Sequence, residues 1–174
     1  AHIRHQCEQS LINLKRDFID LYYLHHGDFG PQAQYLDGAV ETLERLKKEG
    51  KIRLIGQSAY SDDDFERAVS KVRPDVLQSW ANSADTRFIR PGSRTRKLLD
   101  ERGMSFVTFS PLGQGLLLGK YKAIAPPQFE EGDHRKGSSQ FTVENIAQME
   151  VKVEKLKSRF GGETKDLARA ALGE

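Results

Sequence analysis

Polar side chains fall at the carboxyl ends of four apolar segments in this sequence. In chain order they are His25, Ser58, Gln78 and the neighbouring pair Phe109 and Ser110. If the segments are parallel strands, their carboxyl ends meet at one edge, where α/β enzymes place their active sites. Imidazole, hydroxyl and carboxamide groups beside an aromatic ring suit a flat polar ligand. Taken alone, each is better explained as a polar residue that meets solvent at the end of a strand.

The first apolar segment, residues 17–26, predicts a β-strand. Its continuous run of β-branched and aromatic side chains is typical of a strand that is buried on both faces in a parallel sheet. Because side chains alternate along a strand, His25 and His26 are expected to point to opposite faces. The ends of the later strands favour His25 as the inward histidine, which leaves His26 towards solvent or a helix. A pair of strand-end histidines without chemistry is the alternative, equally supported by this strand alone.

Helical and strand patterns alternate four times along the chain. Strands are predicted at 17–26, 52–58, 75–80 and 104–110, with amphipathic helices between them and at both chain ends. Ser61, Ser93 and Thr142 are the predicted N-caps of three helices. Short connections predict a parallel sheet, either an open doubly wound sheet or a (β/α)₈ barrel. A whole barrel takes about 250 residues, so this chain of 174 residues is predicted to be an α/β single domain over 1–174 with about four central units of a TIM-type (β/α)₈ barrel.

Composition and charge exclude several classes of partner. Lysine and arginine total 27 against 25 aspartates and glutamates, so the net charge of +2 predicts neither nucleic acid nor an anionic membrane as a partner. No apolar run approaches the roughly 20 residues that a membrane span requires, and no signal-peptide pattern opens the chain. The one cysteine, Cys7, excludes an internal disulfide, fits a cytoplasmic location and is predicted to lie in the core.

The segment 111–141 interrupts the alternation of helices and strands. It is rich in glycine, proline and charge, and a loop of this length in a compact domain is usually functional or disordered. It contains no P-loop and no dinucleotide fingerprint, because Gln114 and Leu118 stand where those motifs require glycine. Open backbone amides with Lys120 and Arg135 would suit a phosphate group, and a plain mobile loop is an equal alternative. No spacing of histidines, cysteine and carboxylates predicts a metal site.

Four stretches of the sequence resemble the aldo-keto reductase family in their order and spacing. They are residues 17–25, 49–58, 76–78 and 109–121, and the last is most similar to bacterial members and to potassium-channel β subunits. The resemblance covers essentially the whole chain, as a central portion of the family's sequence. It implies a (β/α)₈ barrel that binds NADP(H) across its mouth and transfers hydride between the nicotinamide and an aldehyde or ketone.

The resemblance also implies which residues act on the substrate. Of the family's four catalytic residues, an Asp, a Tyr, a Lys and a His, only the histidine matches a position here, His25. Its implied role is to orient the carbonyl group and to assist proton delivery, which suits a group that titrates near neutral pH. The other three, with the first three strands, are expected to precede residue 1, and the last strand to follow residue 174.

The implied cofactor contacts fall at strand ends and in the segment 111–141, which is expected to cover the cofactor. Ser58 and Gln78 match positions that hydrogen-bond the nicotinamide carboxamide, and Phe109 matches the aromatic residue that stacks on the ring. Ala59 stands where the family often has asparagine, so that side-chain amide is absent. The residues matched to the pyrophosphate and other phosphate groups are Ser110, Leu112, Gln114, Lys120 and Arg135.

Together, the residues and the resemblance predict an NADP(H)-dependent aldo-keto reductase that acts on small aldehydes or ketones in the intact protein. The 174-residue chain by itself is expected to be inactive, because the catalytic Asp, Tyr and Lys have no match in it. A non-catalytic module that binds or senses the cofactor, like the channel β subunits, is one alternative. An inactive fragment is another, and its open sheet edges would favour association into oligomers.

Overall fold

The computed structural model describes residues 2–173 as two compact units. The first unit contains the described residues up to Ser79 together with Arg87–Phe109, and the second contains Trp80–Thr86 and the described residues from Ser110 onwards. The boundary at Ser110 falls just before the predicted start of the irregular segment. That residues 1–174 form a single domain stays a prediction.

Helices and strands alternate as far as the end of the fourth strand. In order they are α1 (His2–Leu14), β1 (Ile19–Leu24), α2 (Leu36–Lys48), β2 (Ile52–Ser58), α3 (Asp62–Lys71), β3 (Val76–Trp80), α4 (Arg94–Arg102) and β4 (Ser105–Phe109), with a 3₁₀ helix at Pro31–Ala33. All four predicted strands are present. β2 has the predicted bounds, and the other three are shorter by one or two residues at one end or both.

The strands form one sheet in the order β1-β2-β3-β4, which is also their order in the chain. β1 pairs in parallel with β2 so that Tyr23 lies opposite Gly56, and β2 pairs in parallel with β3 so that Ser58 lies opposite Gln78. Parallel strands joined by helices confirm the predicted α/β pattern. The register also brings the ends of β2 and β3 to the same edge of the sheet.

The main core of the first unit lies where α1 and α2 pack on β1 and β2. Apolar residues recur every three or four positions along α2, so one face of this helix is apolar and faces the sheet. Cys7 on α1 is fully buried in this cluster, which confirms its predicted place in the core. The other buried residues of the cluster include Leu36, Leu43, Leu46, Ile52 and Ile55.

The first strand differs from its prediction in length and in burial. β1 ends at Leu24, so His25 and His26 lie beyond it. Burial on both faces was predicted, but its side chains are half-buried or, at Asp20, exposed. Tyr22 and Leu24 pack against the core cluster of α1 and α2.

The second unit contains the irregular segment and two helices. Its helices are α5 (Val143–Phe160) and α6 (Thr164–Leu172), and two 3₁₀ helices, Gly113–Leu118 and Ser139–Phe141, lie in the segment. Leu116, Phe141 and Ile146 form a small buried cluster, with Tyr121 and Phe129 packed against it. The segment is therefore irregular, as predicted, and has an apolar core of its own. No helix within residues 2–173 is both long and apolar enough to cross a membrane.

Side-chain caps set where three of the helices begin. Ser61, Ser93 and Thr142 each accept a hydrogen bond from the backbone N–H three residues later, which confirms their prediction as N-caps of α3, α4 and α5. α4 ends at Gly103, whose φ of 63° is the left-handed conformation that favours glycine. The N-caps therefore set where each connection after β2, β3 and β4 ends and the next helix begins.

Candidate functional site

The ends of β2 and β3 bring Ser58 and Gln78 side by side. The two residues are register partners, and the N–H of Ala59 donates a hydrogen bond to the carbonyl of Gln78 at 3.1 Å. Ser58 is buried, and Gln78 is half-buried. A hydroxyl group and a side-chain amide therefore belong to neighbouring positions on one edge of the sheet, as a parallel arrangement of these strands requires.

A buried glutamine ties the end of β1 to this pair. Gln57 donates from Nε2 to the carbonyl of Ser58 at 2.7 Å and to the carbonyl of Leu24 at 3.4 Å. Leu24 is the last residue of β1, so one amide group bridges two strand ends. Buried polar groups with defined partners specify the relative positions of the elements that they join. The backbone at the ends of β1, β2 and β3 is thus linked by hydrogen bonds.

Three aromatic rings lie in contact beyond these strand ends, and we call them the aromatic row: His26 after β1, Tyr60 after β2 and Phe109 at the end of β4. The ring centroids of His26 and Tyr60 are 5.8 Å apart in a stacked pair, and those of Tyr60 and Phe109 are 6.0 Å apart, edge to face. Both geometries are favourable for aromatic pairs. The sequence predicted Phe109 as a site residue but not Tyr60. An aromatic residue two positions after Ser58 could have indicated Tyr60 as a second aromatic residue at this edge.

The two histidines do not separate as predicted. Their ring centroids are 4.2 Å apart, which opposite faces of a strand would not allow. The prediction that they point to opposite faces is therefore wrong, because the alternation of side chains stops with the strand at Leu24. Both are exposed, and it is His26 rather than His25 whose ring contacts Tyr60. The catalytic role of His25 stays a prediction.

His25 lines a cavity of about 690 Å³ next to residues of α1 and α2. Ile3, Phe29 and Ala39 supply apolar lining, and Asp28 supplies a carboxylate. A cavity of this size suits a small organic molecule. Within residues 2–173, no group of three or more His, Cys, Asp and Glu side chains is placed to hold a metal ion.

In the second unit, the segment after β4 contains the residues matched to phosphate contacts. Ser110 and Gln114 adopt left-handed backbone, with φ of 55° and 53°. The carbonyl of Ser110 accepts a hydrogen bond from Nδ2 of Asn82 at 3.3 Å, and Nε2 of Gln114 lies 3.3 Å from Nε2 of His134. Leu112 directly precedes the first 3₁₀ helix of the segment. Ser110 and Gln114 thus adopt a backbone conformation that residues other than glycine rarely adopt.

The guanidinium of Arg135 has hydrogen-bond partners at all three nitrogens. It donates from Nε and Nη2 to the carboxylate of Asp133, at 3.0 and 2.6 Å, and from Nη1 to the hydroxyl of Tyr121 at 3.1 Å. Its Cζ atom lies 4.5 Å from the ring centroid of Phe129. The hydrogen bonds hold the pKa of Asp133 well below the usual range of a carboxyl group and raise the pKa of the Arg135 guanidinium. Both groups are therefore charged at neutral pH.

The charges around Arg135 decide how well it suits a phosphate group. The cavity beside it, about 740 Å³, is lined by the carboxylates of Glu130, Glu131 and Asp133 as well as by Arg135. A guanidinium has five N–H donors, so it retains donors for an anion. Three carboxylates nevertheless oppose a negatively charged ligand. Lys120 is exposed and forms no ion pair within residues 2–173, so its positive charge is less offset than that of Arg135.

Comparison with known proteins assigns these features to one family. The model of the Aldo/keto reductase family matches residues 1–170. The chain belongs to this family. Membership confirms the resemblance found in the sequence and makes the chain part of an oxidoreductase family.

Two curated relatives show how much of an aldo/keto reductase the chain represents. It is 31% identical to the aldo-keto reductase yakc of Schizosaccharomyces pombe, whose name specifies NADP(+), over 89% of this chain and 45% of that protein. It is 26% identical to an L-galactose dehydrogenase of Arabidopsis thaliana, over 98% of this chain and 53% of that protein. The chain therefore spans about half the length of these relatives.

Solved structures of aldo/keto reductases and related enzymes share the fold. A glycerol dehydrogenase from Gluconobacter oxydans superposes with a TM-score of 0.75 at 23% identity, over 98% of this chain and 51% of that one. An aldo-keto reductase from Bacillus halodurans in its holo form gives 0.63 at 26% identity, over 88% and 46%. This aldo/keto reductase chain thus has the predicted α/β fold, part of a TIM-type (β/α)₈ barrel.

Proposed function

We propose that this chain supplies the nicotinamide-binding part of an NADP(H)-dependent oxidoreductase, which in the intact protein transfers hydride between the nicotinamide and an aldehyde or ketone. The observation that carries the proposal is the adjacency of Ser58 and Gln78 at one edge of the sheet. A hydroxyl and an amide offer both donors and acceptors to a carboxamide group. Phe109 at the end of β4 adds a ring on which a flat heterocycle can stack. The bound cofactor would supply the hydride.

The phosphate groups of the cofactor would be bound by the segment after β4. Its contributing residues are Ser110, Leu112, Gln114, Lys120 and Arg135. Among the two cations, Lys120 is proposed to contribute more, because Asp133 offsets the charge of Arg135. The name of the S. pombe relative, which specifies NADP(+), supports this choice of cofactor.

His25 is proposed to orient the carbonyl group of the substrate and to assist proton delivery. A small aldehyde or ketone is proposed as the substrate because the chain belongs to the aldo/keto reductase family. We propose a cytoplasmic location, with neither nucleic acid nor a membrane as partner. The isolated chain is proposed to bind the cofactor without turnover, because only the histidine of the catalytic set matches a residue in it.

Calorimetric titration of the 174-residue chain with NADPH tests the proposal. Gln78→Leu should raise the Kd by roughly three- to tenfold, the loss expected for one hydrogen bond. Gln6→Leu, at an exposed position on α1, is the matched control and should leave the Kd unchanged. Failure of the unmodified chain to bind NADPH, or equal effects of the two substitutions, would refute the proposed site. Carbonyl reduction by the intact protein would then separate an enzyme from a sensing module.

A further inference from the structure

Tyr60 is the first side chain after Ser58 that reaches solvent. Ala59 is only 1% exposed, and its N–H is already bonded to the carbonyl of Gln78. Tyr60, by contrast, is 54% exposed at the edge where the proposed cofactor residues lie. An exposed tyrosine ring offers a ligand both an apolar face and a polar hydroxyl group.

Its two aromatic neighbours hold the ring of Tyr60 in a defined orientation. His26 stacks on it with an interplanar angle of 29°, and Phe109 meets it at 66°. An offset stack covers one face of a ring and leaves the opposite face accessible. Tyr60 is 54% exposed and lines a cavity of about 260 Å³ with Asp64 and Arg67, so part of its ring is open to a ligand. The ring of Tyr60 therefore lies against Phe109, the residue that is proposed to stack on the nicotinamide.

We infer that Tyr60 contacts the nicotinamide ring through its free face and favours the oxidised cofactor over the reduced one. The inference rests on the proposed function, because it assumes that Ser58 and Gln78 bind the nicotinamide end. The oxidised ring carries a positive charge and the reduced ring does not. Aromatic faces attract cations within about 6 Å of the ring centroid, so the attraction acts on one redox state only.

A purely structural role for Tyr60 would give a different result. If the ring only supported Phe109, its removal would weaken the binding of NADP⁺ and NADPH by the same factor. If the hydroxyl were the important group, Tyr60→Phe would behave like Tyr60→Leu. The ratio of the two dissociation constants is therefore the informative quantity, because a change in folding or in general packing does not alter it.

Titration calorimetry of the 174-residue chain with NADP⁺ and with NADPH tests the inference. Tyr60→Leu should weaken NADP⁺ binding roughly fivefold and NADPH binding less than twofold, as expected for loss of one cation–π contact. Tyr60→Phe should leave the ratio near its original value, and Tyr60→Trp, with a more electron-rich face, should shift it towards NADP⁺. Tyr35→Leu, which removes another exposed tyrosine of the same unit, is the matched control.

The outcomes are distinct. A Kd ratio that is unchanged in both Tyr60→Leu and Tyr60→Trp overturns the inference while leaving the proposed function intact. Failure of the unmodified chain to bind either form of the cofactor overturns the proposed function and this inference with it. The Tyr60→Trp variant retains a large aromatic ring, so it keeps the test decisive if Tyr60→Leu does not fold.

Discussion

The carboxylate of Asp133 holds the guanidinium of Arg135, two residues later, through hydrogen bonds from Nε and Nη2 and a third from the backbone N–H of Arg135 at 2.9 Å. Arg135 in turn bonds Tyr121 and packs on Phe129. Asp133 thereby holds Arg135 in contact with the aromatic residues Tyr121 and Phe129 of the irregular segment. We call the hydrogen-bonded pair Asp133 and Arg135 the clamp of the segment 111–141.

Replacing Asp133 should loosen this segment. Asp133→Asn removes the charge and one acceptor oxygen, so Arg135 should leave Tyr121 more often and the segment should be cleaved faster by a protease. Glu131→Gln is the matched control, because Glu131 is 91% exposed and, within residues 2–173, pairs only with Lys136 at the surface, where ion pairs contribute little. Equal cleavage rates for the two variants would contradict the clamp.

The clamp should be insensitive to pH across the neutral range. Hydrogen bonds from Arg135 hold the pKa of Asp133 well below that of an unfolded aspartate, which is about 3.9. Its contribution to stability is therefore complete above about pH 4 and is lost only as the pH falls through the lowered value. An acid titration followed by the NMR signal of the Asp133 carboxyl carbon checks this. A midpoint at the value of an unfolded aspartate would exclude the clamp.

Gly56 should not tolerate even a methyl group. A Cβ atom at this position would lie 2.4 Å from Cδ1 and Cε1 of Tyr23 on the neighbouring strand, and a ring on a paired strand cannot move aside freely. Gly56→Ala should lower the free energy of unfolding by about 1–3 kcal/mol, measured by urea denaturation. Gly38→Ala, in α2 with no atom within 4 Å of the new Cβ, should instead be neutral or stabilising by up to about 1 kcal/mol. Equal free energies of unfolding for Gly56→Ala and Gly38→Ala would show that the ring of Tyr23 moves aside.

The N-cap of α3 should make a measurable contribution to stability. Ser61 accepts a hydrogen bond from the N–H of Asp64 at 3.1 Å, and Ser61→Ala should cost about 1 kcal/mol of unfolding free energy. Ser70, on the same helix, only donates to the carbonyl of Arg67 at its exposed face. Ser70→Ala should therefore change stability by less than about 0.5 kcal/mol. The prediction fails if the two substitutions have the same effect in chemical denaturation.

Positions of helices and strands could be predicted because apolar residues must repeat with the period of the element that buries them. β2 was predicted at 52–58 and is found there. The adjacency of Ser58 and Gln78 follows in the same way, since neighbouring parallel strands must end at one edge. This part of the candidate site depends only on backbone topology, which the sequence pattern encodes.

Contacts beyond the strand ends could not be predicted. Side chains alternate only along a strand, and β1 ends at Leu24, so the predicted directions of His25 and His26 were wrong. The same pattern gave no indication that Tyr60 contacts Phe109. In the segment 111–141 no period exists at all. Several carboxylates lie close to Arg135 in sequence, and nothing in the pattern indicates that Asp133 would be its partner.

Each strand after β1 pairs with the strand that precedes it in the chain. Synthesis proceeds from the amino end, so every strand after β1 leaves the ribosome when its neighbour has already been made. Register partners are 33 residues apart between β1 and β2, as in Ile19 and Ile52, and 20 residues apart between β2 and β3, as in Gly56 and Val76. The sheet can therefore grow in the order of translation, one strand and one helix at a time.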